Sequence, residues 1–143
     1  MLAQLMIGSA IIAVTVIVVA PTWWGLEVTL ERSRPWLRRP PYGPRLTVML
    51  CVAMLWSLLT LTLAVWVWAL ALWFLGIFVT FETSVYFSLV AFTTLGFGDI
   101  LIPQDWRLLG GMAAANGLLV FGLLAAMLVE AFKQLRAHRL GED

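Results

Sequence analysis

Residues 46–79 form a predominantly apolar stretch that is too long for one minimal membrane span. A continuous helix over it would reach roughly 50 Å at 1.5 Å per residue, more than the about 40–45 Å of a bilayer with its headgroups. Such a helix must tilt, protrude, or end near Gly76. Two further apolar stretches flank it, residues 2–20 and residues 106–129. The chain as a whole is 62% hydrophobic and only 12% charged, against roughly a quarter charged in a soluble domain. These features define an all-α membrane protein with three transmembrane helices.

Residues 2–20 match the roughly 20 residues that cross a bilayer core. No Lys or Arg precedes them and the positive charges follow, so they read as a retained helix rather than a cleaved signal peptide. Pro21 and the Trp23-Trp24 pair mark its expected end at headgroup level. Trp66, Trp68 and Trp73 crowd the far half of the second stretch as an aromatic belt would. The third is rich in small residues, among them Gly110, Gly111, Ala113, Gly117 and Gly122, which let helices approach closely in lipid.

Charge sets the orientation. Arg32, Arg34, Arg38, Arg39 and Arg45 lie between spans one and two, and Lys133, Arg136 and Arg139 follow span three. Between spans two and three only Arg107 stands, with Glu82, Asp99 and Asp105. The positive-inside rule then predicts a multi-pass protein of the cell membrane with its N-terminus outside and its C-terminus cytoplasmic. The expected plan is an N-terminal helix over 1–20, a cytoplasmic Arg/Pro-rich linker over 21–45, a domain over 46–130 and a cytoplasmic tail over 131–143. In the linker, Glu27, Glu31 and Arg34 have helical spacing, which fits a short interfacial helix over 23–34. Pro35, Pro40, Pro41 and Pro44 are expected to stop any helix from running on into span two. The linker's arginines are expected to hold anionic inner-leaflet lipid.

Several chemistries are excluded. Cys51 is the single cysteine and His138 the single histidine, so there is no intrachain disulfide and no His/Cys metal cluster. No acid–base pair or nucleophile–base pair marks an enzyme, and nothing points to nucleic acid as a partner. No span carries the spaced arginines of a voltage sensor, and no inverted repeat supports alternating access.

The outward segment, TFETSVYFSLVAFTTLGFGDILIPQDW, is too apolar for an exposed loop. Non-helical backbone at membrane depth is tolerated only where protein buries it or it lines a watery cavity. A short re-entrant helix over 81–92 is therefore predicted, capped by Thr80 and carrying Glu82 in its first turn. Its C-terminal end, partly negative, would point inward and favour a cation.

Thr93-Thr94-Leu95-Gly96-Phe97-Gly98-Asp99 follows directly. This run resembles the selectivity filter of potassium channels, T-V-G-Y-G-D, with Leu95 for Val and Phe97 for Tyr. Together with WRLLGG and NGLL in the third span, it is similar to the small bacterial-type potassium channels that carry one extra N-terminal helix. The resemblance implies an outer helix over 46–79, a pore helix over 81–92, a filter over 93–99 and an inner helix over 105–130, assembled four-fold as a homotetramer. It implies potassium ions, the permeant species and the only ligand, held by the carbonyls of Thr94, Leu95, Gly96 and Phe97, with Gly98 completing the filter. No cofactor is implied. Gly96 and Gly98 suit a backbone that must take positive φ. Thr93, Asp99, Tyr86, Phe87 and Val90 would support the filter. Phe97 lacks the usual tyrosine hydroxyl, Tyr86 and Phe87 replace a Trp pair, and Val90 stands where some members carry Glu. The usual bracing hydrogen bonds are therefore expected to be missing or rearranged, with no carboxylate at position 90 to meet Asp99.

In the third span Asn116 is the strongly polar interior residue, either a cavity-lining group or an interhelical hydrogen-bonding one. Gly117 and Gly122 serve as hinges or as packing sites, and Glu130 near the inner mouth either concentrates cations or is solvated beside Lys133. A weakly selective cation channel and a non-conducting accessory subunit are the alternative functions; the complete filter run argues against both.

Overall fold

The computed structural model describes residues 1–37 and 42–140. It is all-helical, 86% helix, with no strand among the described residues. In chain order these are α1 (Leu2–Leu37), α2 (Tyr42–Phe74), α3 (Phe81–Phe92), a 3₁₀ turn (Gln104–Trp106) and α4 (Arg107–Leu140). Three stretches, Leu2–Ser33, Gly43–Phe74 and Gln104–Lys133, are long and apolar enough to cross a membrane. Helices are the form such sequences must take in lipid, because each helix satisfies its own backbone polar groups.

The first span does not end at Pro21. Both Pro21 and Pro35 lie inside α1, so the expected break, linker and separate interfacial helix are replaced by one helix of 36 residues. Its neighbours explain why. The Trp56 indole N–H donates to the Thr22 carbonyl at 2.8 Å, and the Thr22 hydroxyl donates to the Val19 carbonyl at 2.6 Å. Gly25 seats on the Trp56 ring, where a Cβ would come within 2.7 Å of Cζ2. Leu26 and Leu30 then bury in the same core as Met127 and Ala131. Tertiary packing and Ser/Thr hydroxyls hold a transmembrane helix across a proline in this way. Pro35 sits in the last turn, and the Arg45 guanidinium caps this end: it donates to the Trp36 carbonyl at 3.0 Å and lies 5.2 Å from the Trp36 ring centroid. Arg45 thereby clips α1 to α2. Pro40 and Pro41, with Arg38 and Arg39, lie outside the described residues. Pro44 falls in the first turn of α2, where its missing N–H costs nothing.

α2 stops at Phe74 rather than Val79. Gly76 takes φ +69°, the Ile77 N–H donates to the Leu72 carbonyl at 3.1 Å, and the Gly76 N–H donates to the Trp73 carbonyl at 2.9 Å. This pair of bonds around a left-handed residue is the Schellman stop. Its apolar partners, Leu72 and Ile77, lie in a small outer core with Phe78, Ile102 and Leu109. At the other end of the molecule α4 continues to Leu140, through most of the stretch expected to be a tail.

The main core joins all four helices: Ile11 and Val19 of α1, Val65 and Trp68 of α2, Phe92 of α3, Val120 of α4 among others. Thr15, Ser57 and Thr60 are buried within it, and each hydroxyl donates to the carbonyl one turn earlier, so none is left unsatisfied. The aromatic belt needs one correction. Trp68 is fully buried, edge-on to Phe92 with centroids 6.5 Å apart, and works as core rather than as an interfacial anchor.

Gly117 carries the tightest approach between α3 and α4: a Cβ there would stand 2.5 Å from both Cα and O of Phe92, whereas a Cβ at Gly122 would meet nothing within 4 Å. Gly117→Ala should therefore cost about 1–3 kcal/mol by forcing α4 off α3. Gly122→Ala should be neutral or stabilising by up to about 1 kcal/mol through helix propensity. Thermal melts of the two purified variants in detergent check this contrast.

Candidate functional site

The site is built on α3. Thr80 is its N-cap, extended at φ −114° and ψ 148°, with its side chain accepting from the Thr83 N–H at 3.2 Å. Glu82 stands in the first turn, where a carboxylate complements the helix dipole. Ser84, Ser88 and Phe92 make the buried face. Their spacing of four puts them on one stripe, turned toward α2 and α4. Phe81 is edge-on to both Trp66, at 6.3 Å, and Trp73, at 5.9 Å. Phe87 packs on Phe78 at 5.2 Å and against Gly110. The helix is thus gripped at both ends by aromatic contacts, which aims its C-terminus.

That C-terminus ends in the same Schellman pattern that stops α2. The Leu95 N–H donates to the Val90 carbonyl at 3.1 Å and the Thr94 N–H to the Ala91 carbonyl at 3.0 Å. The left-handed residue is Thr94, at φ +54°. A β-branched residue there is a genuine outlier, costing about 1–2 kcal/mol relative to ordinary backbone. It is held by those two bonds and by hydroxyl bonds: Thr94 Oγ1 donates to the Thr93 carbonyl at 2.7 Å, and Thr93 Oγ1 to the Leu89 carbonyl at 2.9 Å.

Beyond Thr94 the backbone alternates. Gly96 has φ +56° and Gly98 φ +76°, while Leu95 and Phe97 are not in the positive-φ region. Backbone that alternates in the sign of φ can turn successive peptide dipoles to one side, where regular strand would turn them to opposite sides. The glycines are required by φ and not by crowding, since a Cβ on either would meet nothing within 4 Å. The whole run 93–99 is exposed on the single chain, with Leu95 at 56% and Phe97 at 66% of full exposure.

One side chain ties the far end of this loop back to α3. The Tyr86 hydroxyl donates to Asp99 Oδ2 at 2.6 Å. It joins α3 to the loop where neither Phe97 nor Val90 offers a polar group. Val90 is half-buried and offers no polar group; Tyr86, one turn earlier on the same face, reaches past it. The Tyr86 hydrogen bond is the largest influence on the Asp99 carboxyl; partial desolvation opposes it, and the backbone N–H groups of Asp99 and Ile100 reinforce it, with a net lowering below the ordinary 3.8.

Asn116 does not face a cavity formed on this chain. It is 2% exposed, buried beside Gly117, with its amide nitrogen lacking a hydrogen-bond partner among the described residues. Gly117 is a packing contact in this conformation, as its distance to Phe92 requires. The exposed face of α4 at this depth carries instead Ala115, Leu118, Leu119 and Gly122.

Fold and site together define a membrane protein of the pore-loop class, in which a short helix and a strained loop are inserted between two spanning helices. A family model described as "Ion channel" matches residues 45–134, which takes in most of α2, all of α3 and the loop, and most of α4. The chain belongs to this ion-channel family, which is not a family of enzymes. No curated protein and no solved structure matches the chain. α1, up to its end at Leu37, lies outside the matched region.

The lowered pKa of Asp99 has a consequence of definite sign. Its contribution to holding the loop is fully present above the ordinary carboxyl range and is lost as pH falls through the lower folded value. A carboxyl-detected NMR titration should put the Asp99 midpoint below 3.8, and Tyr86→Phe should move it up toward that value.

Proposed function

We propose that this chain is one subunit of a potassium-selective channel, a homotetramer through which potassium passes downhill across the cell membrane. The observation that carries the reading is the alternation of positive φ at Thr94, Gly96 and Gly98, directly at the C-terminal end of α3. Dehydrating a potassium ion takes a ring of oxygens that replaces its water, and aligned backbone carbonyls supply one. Thr94, Leu95, Gly96 and Phe97 contribute those carbonyls, and Gly98 permits the turn out of the filter. The α3 C-terminus adds about half a negative elementary charge per chain, so four copies focus about two on the ion path. Thr93 and the Tyr86–Asp99 hydrogen bond hold the two ends of the loop, and Phe87 seats α3 on Phe78 and Gly110.

Tetramerisation follows from the same loop. An exposed, irregular, partly apolar run has no stable place at membrane depth unless other protein covers it. Three further copies around one axis do so and complete the ring that one strand cannot form. The charge pattern supports an outside N-terminus, with the ends of α1 and α4 in the cytoplasm. Arg32 and its neighbours then stand at the anionic inner leaflet, although Arg45 is engaged with Trp36.

Flux into liposomes tests this reading. Purified protein should give barium-sensitive potassium flux. Gly96→Ala and Gly98→Ala should each reduce it at least tenfold, because a Cβ is strained at those φ values, while the variants still assemble. Full flux from both variants would remove the filter assignment.

A further inference from the structure

Three buried polar groups, one on each of three helices, have no hydrogen-bond partner among the described residues: Nε1 of Trp68 in α2, Oγ of Ser88 in α3 and Nδ2 of Asn116 in α4. Trp68 and Ser88 are fully buried and Asn116 is 2% exposed. Other buried hydroxyls of the core behave differently, because Thr15, Ser57 and Thr60 each donate to a carbonyl one turn earlier. A buried polar group left unpaired costs about 1–3 kcal/mol, so three in one region call for an explanation.

The packing sets all three at one level. Phe87 meets Gly110 and, further along α3, Phe92 meets Gly117, so α3 and α4 run alongside each other in the same direction. Ser88 falls inside that interval on α3. Asn116 falls inside it on α4, and a helical side chain leans back toward the helix N-terminus, here away from Gly117 and toward the level of Ser88. Trp68 enters from α2. Its ring lies edge-on to Phe92 at 6.5 Å, while Leu72, one turn further along α2, joins Leu109 in the outer core. The three groups are thus bracketed between that outer core and the contact of Phe92 with Gly117.

We infer that Trp68, Ser88 and Asn116 together hold one buried water molecule, which ties α3 to both spanning helices. The balance of donors and acceptors selects water. An indole N–H and an amide NH₂ only donate, so neither satisfies the other and each needs a lone pair. Water offers two, and its own O–H completes the set by donating to Ser88 Oγ. Three bonds are what a buried water typically makes. A cation would face two N–H donors, and an anion would be buried with no basic side chain among the described buried residues to pair with it. The water acts as a hydrogen-bonded joint one turn from Phe92, and nothing in it depends on which ion the loop passes.

Indole-detected NMR of the full chain in maltoside micelles tests this without a flux measurement. The Trp68 Nε1–H resonance is assigned by its disappearance in Trp68→Phe. In the parent it should show a direct cross-relaxation peak to water, although Trp68 is sealed from the surface. The peak should be lost in Asn116→Leu and in Ser88→Val, each of which removes one partner and fills its place with carbon. No water peak in the parent would overturn the proposal by itself, and a direct bond from Trp68 to a flipped Asn116 amide would give that result. A peak unchanged in both variants, with melts and oligomeric state matching the parent, would overturn it as well. Potassium flux is read in neither arm, so failure here leaves the channel reading standing.

Discussion

The contact between Phe92 and Gly117 decides where the loop after α3 can lie. Phe92 is the last residue of α3, fully buried, with its ring edge-on to Trp68 of α2 and its backbone pressed against α4 where a Cβ would not fit. Two spanning helices thus hold the end of a short one. With Phe92 anchored, the turn at Thr94 has only one way out, and the Leu95 and Thr94 N–H groups close it on the last carbonyls of α3. The Tyr86–Asp99 hydrogen bond then draws the outer end of the loop back to the same helix. A strained backbone persists only when its surroundings over-determine it, and here the restraints act on both sides of the strained residues.

Much of this was legible in the residues. Thr80 followed by Glu82 and a run of apolar residues marked α3, and its observed bounds, Phe81–Phe92, are those the pattern predicts. Gly96 and Gly98 marked positive φ. Thr94 gave no such sign, because nothing in a β-branched residue advertises a left-handed backbone; the strain is imposed by the stop that ends α3. The Tyr86 contact was half legible: the resemblance named Tyr86 and Asp99 as supporting residues, but which acceptor the Tyr86 hydroxyl meets depends on where the loop returns.

The helix ends were the least legible, for reasons that lie in packing rather than local preference. Pro21 reads locally as a terminus, yet the indole of Trp56, thirty-four positions away, and the burial of Leu26 and Leu30 carry α1 through it. Asn116 reads as a polar group in an apolar span, which fits a cavity wall and an interhelical contact equally. Its burial beside Gly117 follows from which stripe of α4 meets α3, and small residues at several registers leave that choice open. Gly76 shows the reverse case: one glycine with the right neighbours stops an apolar run that hydropathy alone would continue.

The ion-channel family membership fixes the class, and the proposal of potassium as the permeant ion rests on the alternating backbone of the loop. The most direct measurement is the reversal potential of the purified protein in a planar bilayer, with potassium on one side and sodium on the other. The proposed carbonyl column predicts a reversal potential displaced toward the potassium equilibrium, corresponding to a permeability ratio well above tenfold. A reversal potential near zero in the same bilayer would mean that the loop passes both ions alike, and would contradict the account.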